Sequence, residues 1–558
     1  MIEIIISNKV YENDVYPLMK AFYPQETIKV YGSDEIRQAE LDLLKNSDSN
    51  EHKEAKHTKE APIPLEEEFK TEANHYLTTK LNVESEIPVD EDIQNDVTQS
   101  TDKKAGVDSS INKINEMDIE FLSDKIIFTV TFFKGDKEEM SLTLAAKLNK
   151  TQYKNSMKRF LYAILAKNTG RSLPWGILTG IRPTKLVYEL LEEGKTEKEI
   201  YKKMEEEYLC SEAKIAMSIK IARREAELLK EMDYQNGYSL YVGIPFCPST
   251  CLYCSFTSYS IEKFANYVDA YLDALEKEIE YSATCFPDKK LTTVYFGGGT
   301  PTTLTAEQLD RLLGLVRKYY DFTFVKEFCV EAGRPDSITR KKLEILKKWG
   351  VDRISINPQS MQQRTLDLIG RKHTVDQIKE AFLLARETGH DNINMDIIIG
   401  LPGENQLDVI DTLSQIKELN PESLTVHTLA IKRAARLNLE KDDYADMKAS
   451  DVPDMMEQTI KYAESNDYLP YYLYRQKNMA DNLENIGYSK YGKEGLYNIL
   501  IMEEQQTILA LGAGGMSKFV FYKENRIERV NNVKSVMDYI NRIDEMIERK
   551  KDFIKNNY

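Results

Sequence analysis

The chain has 558 residues, six of them cysteine, with a formal net charge of −16 and an isoelectric point near 5.2. This acidic balance disfavours a general nucleic-acid binder, which would carry a basic face. Six cysteines without a paired framework indicate a reducing, cytoplasmic setting. The start of the chain, Met1–Ile6, lacks a basic flank, and no apolar run reaches the length of a membrane span. Neither a signal peptide nor a membrane span is therefore expected.

The N-terminal region predicts a small α+β domain interrupted by a polar segment. Ile2–Ile6 and Thr27–Tyr31 are predicted strands, and Asp14–Phe22 is a predicted helix. Residues 46–118 carry few apolar clusters and cannot bury enough area to offset their ordering entropy, so a flexible insertion is expected. The three histidines in this segment could bind a metal, but isolated, solvated side chains are the favoured interpretation. They are His52, His57 and His75.

Alternating and helical patterns resume after the insertion. Residues 124–133 and 139–145 alternate around a Gly-containing turn and predict a hairpin. Residues 155–167 have the periodicity of an amphipathic helix. Three further helices are predicted over residues 185–193, 197–208 and 211–232.

Six apolar runs separated by helical periodicity dominate the middle of the chain. These runs cover residues 239–244, 292–296, 326–331, 352–356, 392–399 and 423–429. Strands that alternate with helices imply a parallel sheet, so the sequence predicts an α/β fold with an open, partial (β/α)6 barrel. Its ligand loops are expected at the carboxyl ends of the strands.

The remaining region is predicted to be mostly helical, with short strands. Residues 451–465 are amphipathic, 509–517 form a Gly-rich loop, and 533–550 form a closing helix. The predicted boundaries are 1–170 for the N-terminal α+β domain, 171–237 for a helical linker region, 238–436 for the partial barrel and 437–558 for the C-terminal domain.

Three cysteines follow the first barrel strand: Cys247, Cys251 and Cys254. Soft thiolates select zinc or iron–sulfur centres. A structural zinc site takes four ligands, and neither a fourth Cys nor a His lies nearby in the sequence. A 4Fe-4S cluster held by three cysteines would leave one iron open to a substrate or cofactor. The alternatives are buried structural thiols and part of a zinc site.

Other polar groups stand where barrel strands are predicted to end. Gly297–Thr302 is a Gly-rich turn that allows close backbone approach to a ligand. Glu331 is placed to accept hydrogen bonds from ribose hydroxyls or an ammonium group, or is a solvated strand-end carboxylate. Asp396 lies inside an apolar strand and needs a partner, and Arg371 is a candidate partner or co-ligand.

The Cys-x-x-x-Cys-x-x-Cys motif after the first strand of a βα series resembles that of the radical S-adenosylmethionine (SAM) enzymes. The resemblance implies that Cys247, Cys251 and Cys254 hold a 4Fe-4S cluster whose open iron chelates SAM. In that superfamily the cluster cleaves SAM to a 5′-deoxyadenosyl radical, which abstracts a hydrogen atom. The cofactor supplies the radical chemistry, and the protein supplies binding and aim.

Further motifs resemble a narrower group, the oxygen-independent coproporphyrinogen III dehydrogenases and their relatives. The motifs are Tyr241–Cys247, Gly297–Thr302, Gln359-Ser360, Gly370–Thr374 and Gly400–Gly403. Residues 175–185, 431–436 and 472–478 resemble in particular the HemZ-type branch of this group. The resemblance implies that a first SAM is lined by Tyr241, Tyr253, Gly298 and Glu331. It implies that a second SAM is lined by Gly299, Thr300, Gln359, Arg371, Asp396 and Ala430.

The family reaction is the oxidative decarboxylation of coproporphyrinogen III propionates to the vinyls of protoporphyrinogen IX. The implied partners are this tetrapyrrole and a low-potential electron donor such as flavodoxin or ferredoxin. Two positions depart from the dehydrogenase pattern: Phe256 replaces a cysteine and Gly243 replaces a histidine. Relatives that act as haem chaperones, or that open haem by radical methyl transfer, are therefore the alternatives. Three cations that could meet propionates, or be solvated, are Lys432, Arg433 and Arg436.

Overall fold

A computed structural model describes residues 1–24, 26–35, 114–122, 124–133, 135–144, 148–180, 182–254, 258–430, 437, 451–475 and 482–557. The chain divides into two compact units. The first comprises Met1–Thr179 with Glu207–Leu209, and the second comprises Gly180–Glu206 with Cys210–Tyr558.

The first unit contains a five-stranded sheet. Its strands are β1 (Ile2–Ile6), β2 (Ile28–Gly32), β3 (Ile114–Phe121), β4 (Lys125–Phe132) and β5 (Lys137–Thr143), in the order β2-β1-β3-β4-β5. β1 pairs in parallel with β2 and β3, whereas β3, β4 and β5 form antiparallel pairs. The predicted hairpin is therefore confirmed. β3 begins at Ile114, inside the range predicted to be a polar insertion.

Two helices belong to the same unit: α1 (Glu12–Phe22) and α2 (Lys150–Thr169). α2 begins with a capping box in which Asn149 and Gln152 satisfy each other's free backbone amides, and it ends at Gly170 in the left-handed region. The rest of the predicted insertion, including His52, His57 and His75, lies outside the described residues.

Six parallel strands form the centre of the second unit. They are β6 (Gly237–Ile244), β9 (Lys290–Gly298), β10 (Glu327–Gly333), β11 (Arg353–Ile356), β12 (Ile393–Ile399) and β13 (Ser423–Thr428). Each strand pairs in parallel with the next one along the chain. Their side chains are almost all buried, as expected for parallel strands covered on both faces. The open, partial (β/α)6 barrel predicted from the apolar runs is confirmed.

Helices follow these strands around the barrel. They are α7 (Val268–Ser282), α8 (Ala306–Tyr319), α9 (Arg340–Lys348), α10 (Gln363–Leu368), α11 (Val375–Glu387) and α12 (Gln406–Leu419), with the short α6 (Ile261–Phe264) before α7. A two-stranded ribbon after β6 pairs β7 (Phe246–Cys247) with β8 (Tyr259–Ser260). Three helices precede the barrel: α3 (Pro183–Glu192), α4 (Glu197–Glu206) and α5 (Glu212–Lys230).

C-terminal strands extend the barrel sheet at both ends. β16 (Thr507–Leu511) pairs in parallel with β6, and β15 (Asn485–Ser489) pairs antiparallel with β13. The outer strands are β14 (Leu469–Tyr474), β17 (Met516–Phe521) and β18 (Arg526–Asn531). Helices α13 (Val452–Ser465), α14 (Leu496–Met502), α15 (Val536–Asn541) and α16 (Ile543–Asn557) complete the region. Within the described residues, no helix is both long and apolar enough to cross a membrane.

Two predictions for this region are wrong in detail. The Gly-rich stretch 509–517 is a β-hairpin turn between β16 and β17, because only Gly512–Gly515 leave the strands. The closing helix predicted over 533–550 begins at Val536 and is interrupted at Arg542, so that two helices replace one.

Candidate active site

The three motif cysteines follow β6, on the same edge of the sheet as the glycine turn after β9. The amides of Gly299 and Thr300 donate to the carbonyls of Ile244 and Phe246 at 2.7 and 2.8 Å. The Thr300 hydroxyl lies 3.7 Å from the Sγ of Cys247 and donates to it. The glycine turn therefore packs directly against the start of the segment that carries the three cysteines, residues 247–254, which we call the cysteine loop.

The other side of the cysteine loop rests on the segment after α10. The amide of Leu252 donates to the carbonyl of Ile369 at 3.0 Å, and the Ser249 hydroxyl donates to the carbonyl of Gly370 at 3.2 Å. Burial raises the pKa of the Cys247 thiol to about 11, and the nearby Cys254 and Cys251 add to this effect.

Glu331 lies at the end of β10 with two tyrosines beside it. The Tyr295 hydroxyl donates to Glu331 Oε1 at 2.6 Å, and the Tyr295 ring stacks 6.2 Å from the ring of Tyr241. Tyr497, from α14, stacks beside both rings, with its ring centroid 4.4 Å from that of Tyr295 and 6.3 Å from that of Tyr241. Burial raises the pKa of Glu331 to about 7, against the opposing hydrogen bond from Tyr295. Glu331 is thus held in place by the barrel and is not a solvated strand end.

Gln359 and Arg371 lie at the carboxyl end of β11. Gln359 has a φ of 67°, which is unusual for a residue other than glycine. Its amide donates to the carbonyl of Asp396 at 2.9 Å, while its buried side-chain oxygen has no partner among the residues that the structure describes. Arg371 donates to the carbonyl of Asn357 at 2.8 Å and to the Tyr253 hydroxyl at 3.1 Å, and within the described part of the chain its Nε has no partner. Buried polar atoms without partners are costly, so their position here favours a polar ligand.

The partner of Asp396 is His427 and not Arg371, which corrects that expectation. His427 Nε2, on β13, lies 3.8 Å from Asp396 Oδ2, and Asn394 donates to the other carboxyl oxygen at 2.7 Å. Burial acts to raise the pKa of Asp396, but its interactions with His427, Asn394 and Thr425 outweigh burial and keep the pKa below its ordinary value. Ala430 follows β13 at the same edge, two residues beyond Thr428.

The three thiols of the cysteine loop are ligands of the type that bind zinc or an iron–sulfur cluster. Within the described ranges, no group of three or more His, Cys, Asp or Glu side chains already converges in the geometry of a metal site. Loading with a metal or cluster would therefore have to draw the three sulfurs of Cys247, Cys251 and Cys254 together, as metal binding commonly does. The thiols supply the ligands, and the unpartnered polar atoms beside them supply contacts for a polar cofactor.

The structure explains one of the two departures from the dehydrogenase pattern. A Cβ at Gly243 would lie 3.1 Å from the carbonyl oxygen of Leu511 and 3.3 Å from the Tyr241 ring. The end of β16 and the Tyr241 ring thus crowd the space that a histidine side chain would need. The other departure, Phe256, lies outside the described residues, as do Lys432, Arg433 and Arg436.

Three residues of this site carry no sequence motif and were missed. His427 is a single polar residue in an apolar strand, Tyr497 comes from a distant helix, and Arg334 is a single cation directly after β10. The polar position of His427 at the end of an apolar run was the one available signal.

Comparison with known proteins leads to the same superfamily that the sequence motifs resemble. The radical SAM superfamily profile matches residues 241–416. The oxygen-independent coproporphyrinogen-III oxidase-like protein HemZ of Bacillus subtilis is 42% identical over 408 residues, which are 72% of this chain and 81% of that relative. The heme chaperone HemW of Bacillus subtilis is 36% identical over 195 residues, 35% of this chain and 51% of HemW.

The oxygen-independent coproporphyrinogen III oxidase of Escherichia coli is 32% identical over 231 residues, 41% of this chain and 50% of the oxidase. The solved structure of HemN from Escherichia coli matches with a TM-score of 0.46 and 24% identity, over 58% of this chain and 73% of HemN. The match to HemZ spans 81% of that protein at 42% identity, so the chain belongs to the radical SAM superfamily and, within it, to the oxygen-independent coproporphyrinogen III oxidase-like family that includes HemZ.

Proposed function

We propose that this chain is a radical SAM enzyme of tetrapyrrole metabolism that converts coproporphyrinogen III to protoporphyrinogen IX without oxygen. The observation that carries the proposal is the gathering of the cysteine loop, Glu331, Gln359 and Arg371 at one edge of the parallel sheet. The similarity to HemZ over most of both chains supports the same conclusion.

Each group of residues has a part in the proposed reaction. Cys247, Cys251 and Cys254 would hold a 4Fe-4S cluster, with SAM on its open iron. When bound, these cofactors supply a carbon radical that removes a hydrogen atom. Glu331 and Tyr241 would hold the first SAM, and the unpartnered groups of Gln359 and Arg371 would contact a second. The stacked tyrosines would keep water away from this reaction.

The proposed reaction is balanced for each propionate side chain. One hydrogen atom leaves the β-carbon, the bond to the carboxylate breaks, carbon dioxide departs, and one electron passes to an external acceptor. The product is a vinyl group. Two propionates react, so two SAM molecules are consumed for each protoporphyrinogen. A low-potential donor of the flavodoxin or ferredoxin class would reduce the cluster.

A second candidate function is haem transfer without turnover. The 36% identity to the heme chaperone HemW favours this candidate, although it extends over only 35% of the present chain. The same cluster loop and barrel would then serve to bind haem.

The test is an anaerobic incubation of reconstituted, dithionite-reduced protein with SAM and coproporphyrinogen III. Liquid chromatography should detect 5′-deoxyadenosine and protoporphyrin in a ratio of two to one after oxidation of the product, and Cys251→Ala should abolish both. Stable haem binding with no product would instead establish the chaperone. A methylated, ring-opened tetrapyrrole formed from haem would establish the radical methyl transferase. Zinc, or no metal, at the cysteine loop would refute all three cluster-based functions.

A further inference from the structure

A buried arginine at the end of β10 donates hydrogen bonds to the cysteine loop. Arg334 follows β10 immediately and is 3% exposed. Its Nη1 donates to the carbonyl oxygen of Ser249 at 3.0 Å and to the Ser249 hydroxyl at 2.8 Å. The same nitrogen lies 3.9 Å from the Sγ of Cys251, within hydrogen-bonding distance for sulfur.

Asp336 fixes the orientation of this arginine. Its two carboxyl oxygens accept from Arg334 Nε at 3.0 Å and Nη2 at 2.7 Å, which is a bidentate pair. The pair occupies one edge of the guanidinium and leaves Nη1 pointing at the cysteine loop. The buried His373 lies beside this pair, with its Nδ1 3.8 Å from Asp336 Oδ1, while the Asp336 side chain keeps 20% of its surface exposed.

Two of the cysteine sulfurs receive hydrogen bonds from side chains outside the loop, and these two donors differ in charge. Cys247 receives its hydrogen bond from the neutral hydroxyl of Thr300, whereas Cys251 faces the permanent positive charge of Arg334. A guanidinium does not lose its proton at any physiological pH, so this charge is constant. Hydrogen bonds to ligand sulfur and nearby positive charge stabilise the reduced form of an iron–sulfur cluster.

We infer that Arg334 is a positioning residue that holds the cysteine loop through Ser249 and raises the reduction potential of a cluster bound at Cys251. This inference rests on the proposed function, because it requires the cluster. Arg334 would thereby make one-electron reduction of the cluster easier before SAM is cleaved. Asp336 serves the same purpose by aiming the guanidinium.

The test compares Arg334→Met and Arg334→Lys with the unmodified chain and with Arg340→Met. Arg340 is a matched control because it is 53% exposed in its side chain and pairs with Glu387 away from the cysteine loop. Iron and sulfide per chain are measured first, and the potential is then obtained by redox titration followed by electron paramagnetic resonance. Arg334→Met should shift the potential to more negative values, Arg334→Lys should shift it less, and Arg340→Met should leave it unchanged.

A second readout does not need the cluster. In the metal-free chain, Arg334→Met should increase the rate of hydrogen exchange at the amide of Leu252 several-fold, measured by peptide mass spectrometry, because this amide donates to the carbonyl of Ile369 from within the cysteine loop. Arg340→Met should leave this rate unchanged. An unchanged exchange rate in Arg334→Met would refute the positioning role, and cluster-loaded variants with unchanged potential would refute the electronic role. An unmodified chain that takes up no cluster would refute the proposed function instead.

Discussion

Glu331 makes the charge inside the barrel sensitive to pH. Burial raises the pKa of this carboxyl group from 4.5 to about 7, while the hydroxyl of Tyr295 opposes the rise. Between these values the folded protein keeps a proton that the unfolded chain has lost. Stability therefore falls as the pH rises through this range, and the loss is complete above about pH 7.

Glu331→Gln removes this dependence, because glutamine still accepts from Tyr295 but does not ionise. The free energy of unfolding of the variant minus that of the unmodified metal-free chain should therefore be about 1–3 kcal/mol larger at pH 8 than at pH 4. Urea unfolding at both pH values measures the change. Tyr295→Phe should move the sensitive range to higher pH, because the opposing hydrogen bond is lost. A stability difference that does not vary with pH would contradict this account of Glu331.

Gly299 is the residue whose size sets the distance between the glycine turn and the cysteine loop. A Cβ at this position would lie 2.6 Å from the carbonyl oxygen of Phe246 and 3.0 Å from Cys247 Sγ. The shortest contact is with backbone, and so is the third, with the carbonyl oxygen of Ile244 at 3.0 Å, so a larger residue would displace the backbone at the start of the loop.

Gly299→Ala should therefore reduce the iron and sulfide retained per chain after anaerobic reconstitution by at least half. Gly180→Ala is the matched control, since a Cβ at Gly180 meets no atom within 4 Å. Equal cluster content in the two variants would show that the loop tolerates the extra methyl group.

Residues in a spaced motif could be identified from the sequence, and single residues could not. The three cysteines and Gly297–Thr302 stand at fixed distances after apolar runs, which is why their common edge could be predicted. His427 and Tyr497 reach the site only through β13 and α14. Their neighbours are distant in the sequence, and spacing along the chain contains no information about them.

At the level of elements, the turn between β16 and β17 is anchored by a buried ion pair. Lys550, from α16, donates to Glu278 of α7 at 2.6 Å, and both side chains are 0% exposed. Glu278 also accepts from the amide of Gly512 at 2.8 Å. A Cβ at Gly512 would lie 2.4 Å from the carbonyl oxygen of Gly243, so this turn touches the end of β6 just before the cysteine loop. The last helix of the chain thereby supports the first barrel strand.

Lys550→Met should destabilise this unit by about 3–5 kcal/mol, because it leaves a buried carboxylate without a counter-charge. Chemical unfolding measures the loss, and faster hydrogen exchange at the Gly512 amide should locate it. Adding Glu278→Gln should restore part of the stability. The exposed Arg549→Met on the same helix should cost less than about 1 kcal/mol. An equal effect of the two single substitutions would contradict a special role for the buried pair.

The six barrel strands were predictable within two residues at their ends because each is an apolar run enclosed on both faces. The β16–β17 hairpin was not, since glycines in a tight turn and glycines in a loop look alike in sequence. The interruption at Arg542 lacked a proline or glycine signal, so helical periodicity continued through it. Tertiary packing decided both cases.

For the whole molecule, the C-terminal strands protect the open ends of the partial barrel. β16 covers the free edge of β6 over five paired residues, and β15 covers the free edge of β13 over four. Unpaired edges of a buried sheet invite association with other chains. The barrel and the C-terminal region therefore depend on each other for folding, although their sequences predict separate segments.

A chain that ends at residue 436 should consequently fail to fold as a monomer. Both edges of its parallel sheet would be exposed, together with the apolar faces of β6 and β13, so light scattering should show aggregates and denaturant unfolding should lose its cooperative transition. A chain that ends at residue 554 is the control, because it keeps every strand and retains Phe553, whose ring lies 4.4 Å from that of Phe519. The control should remain monomeric. A monomeric, cooperatively unfolding chain that ends at residue 436 would show that the barrel is independent and that the added strands serve the site alone.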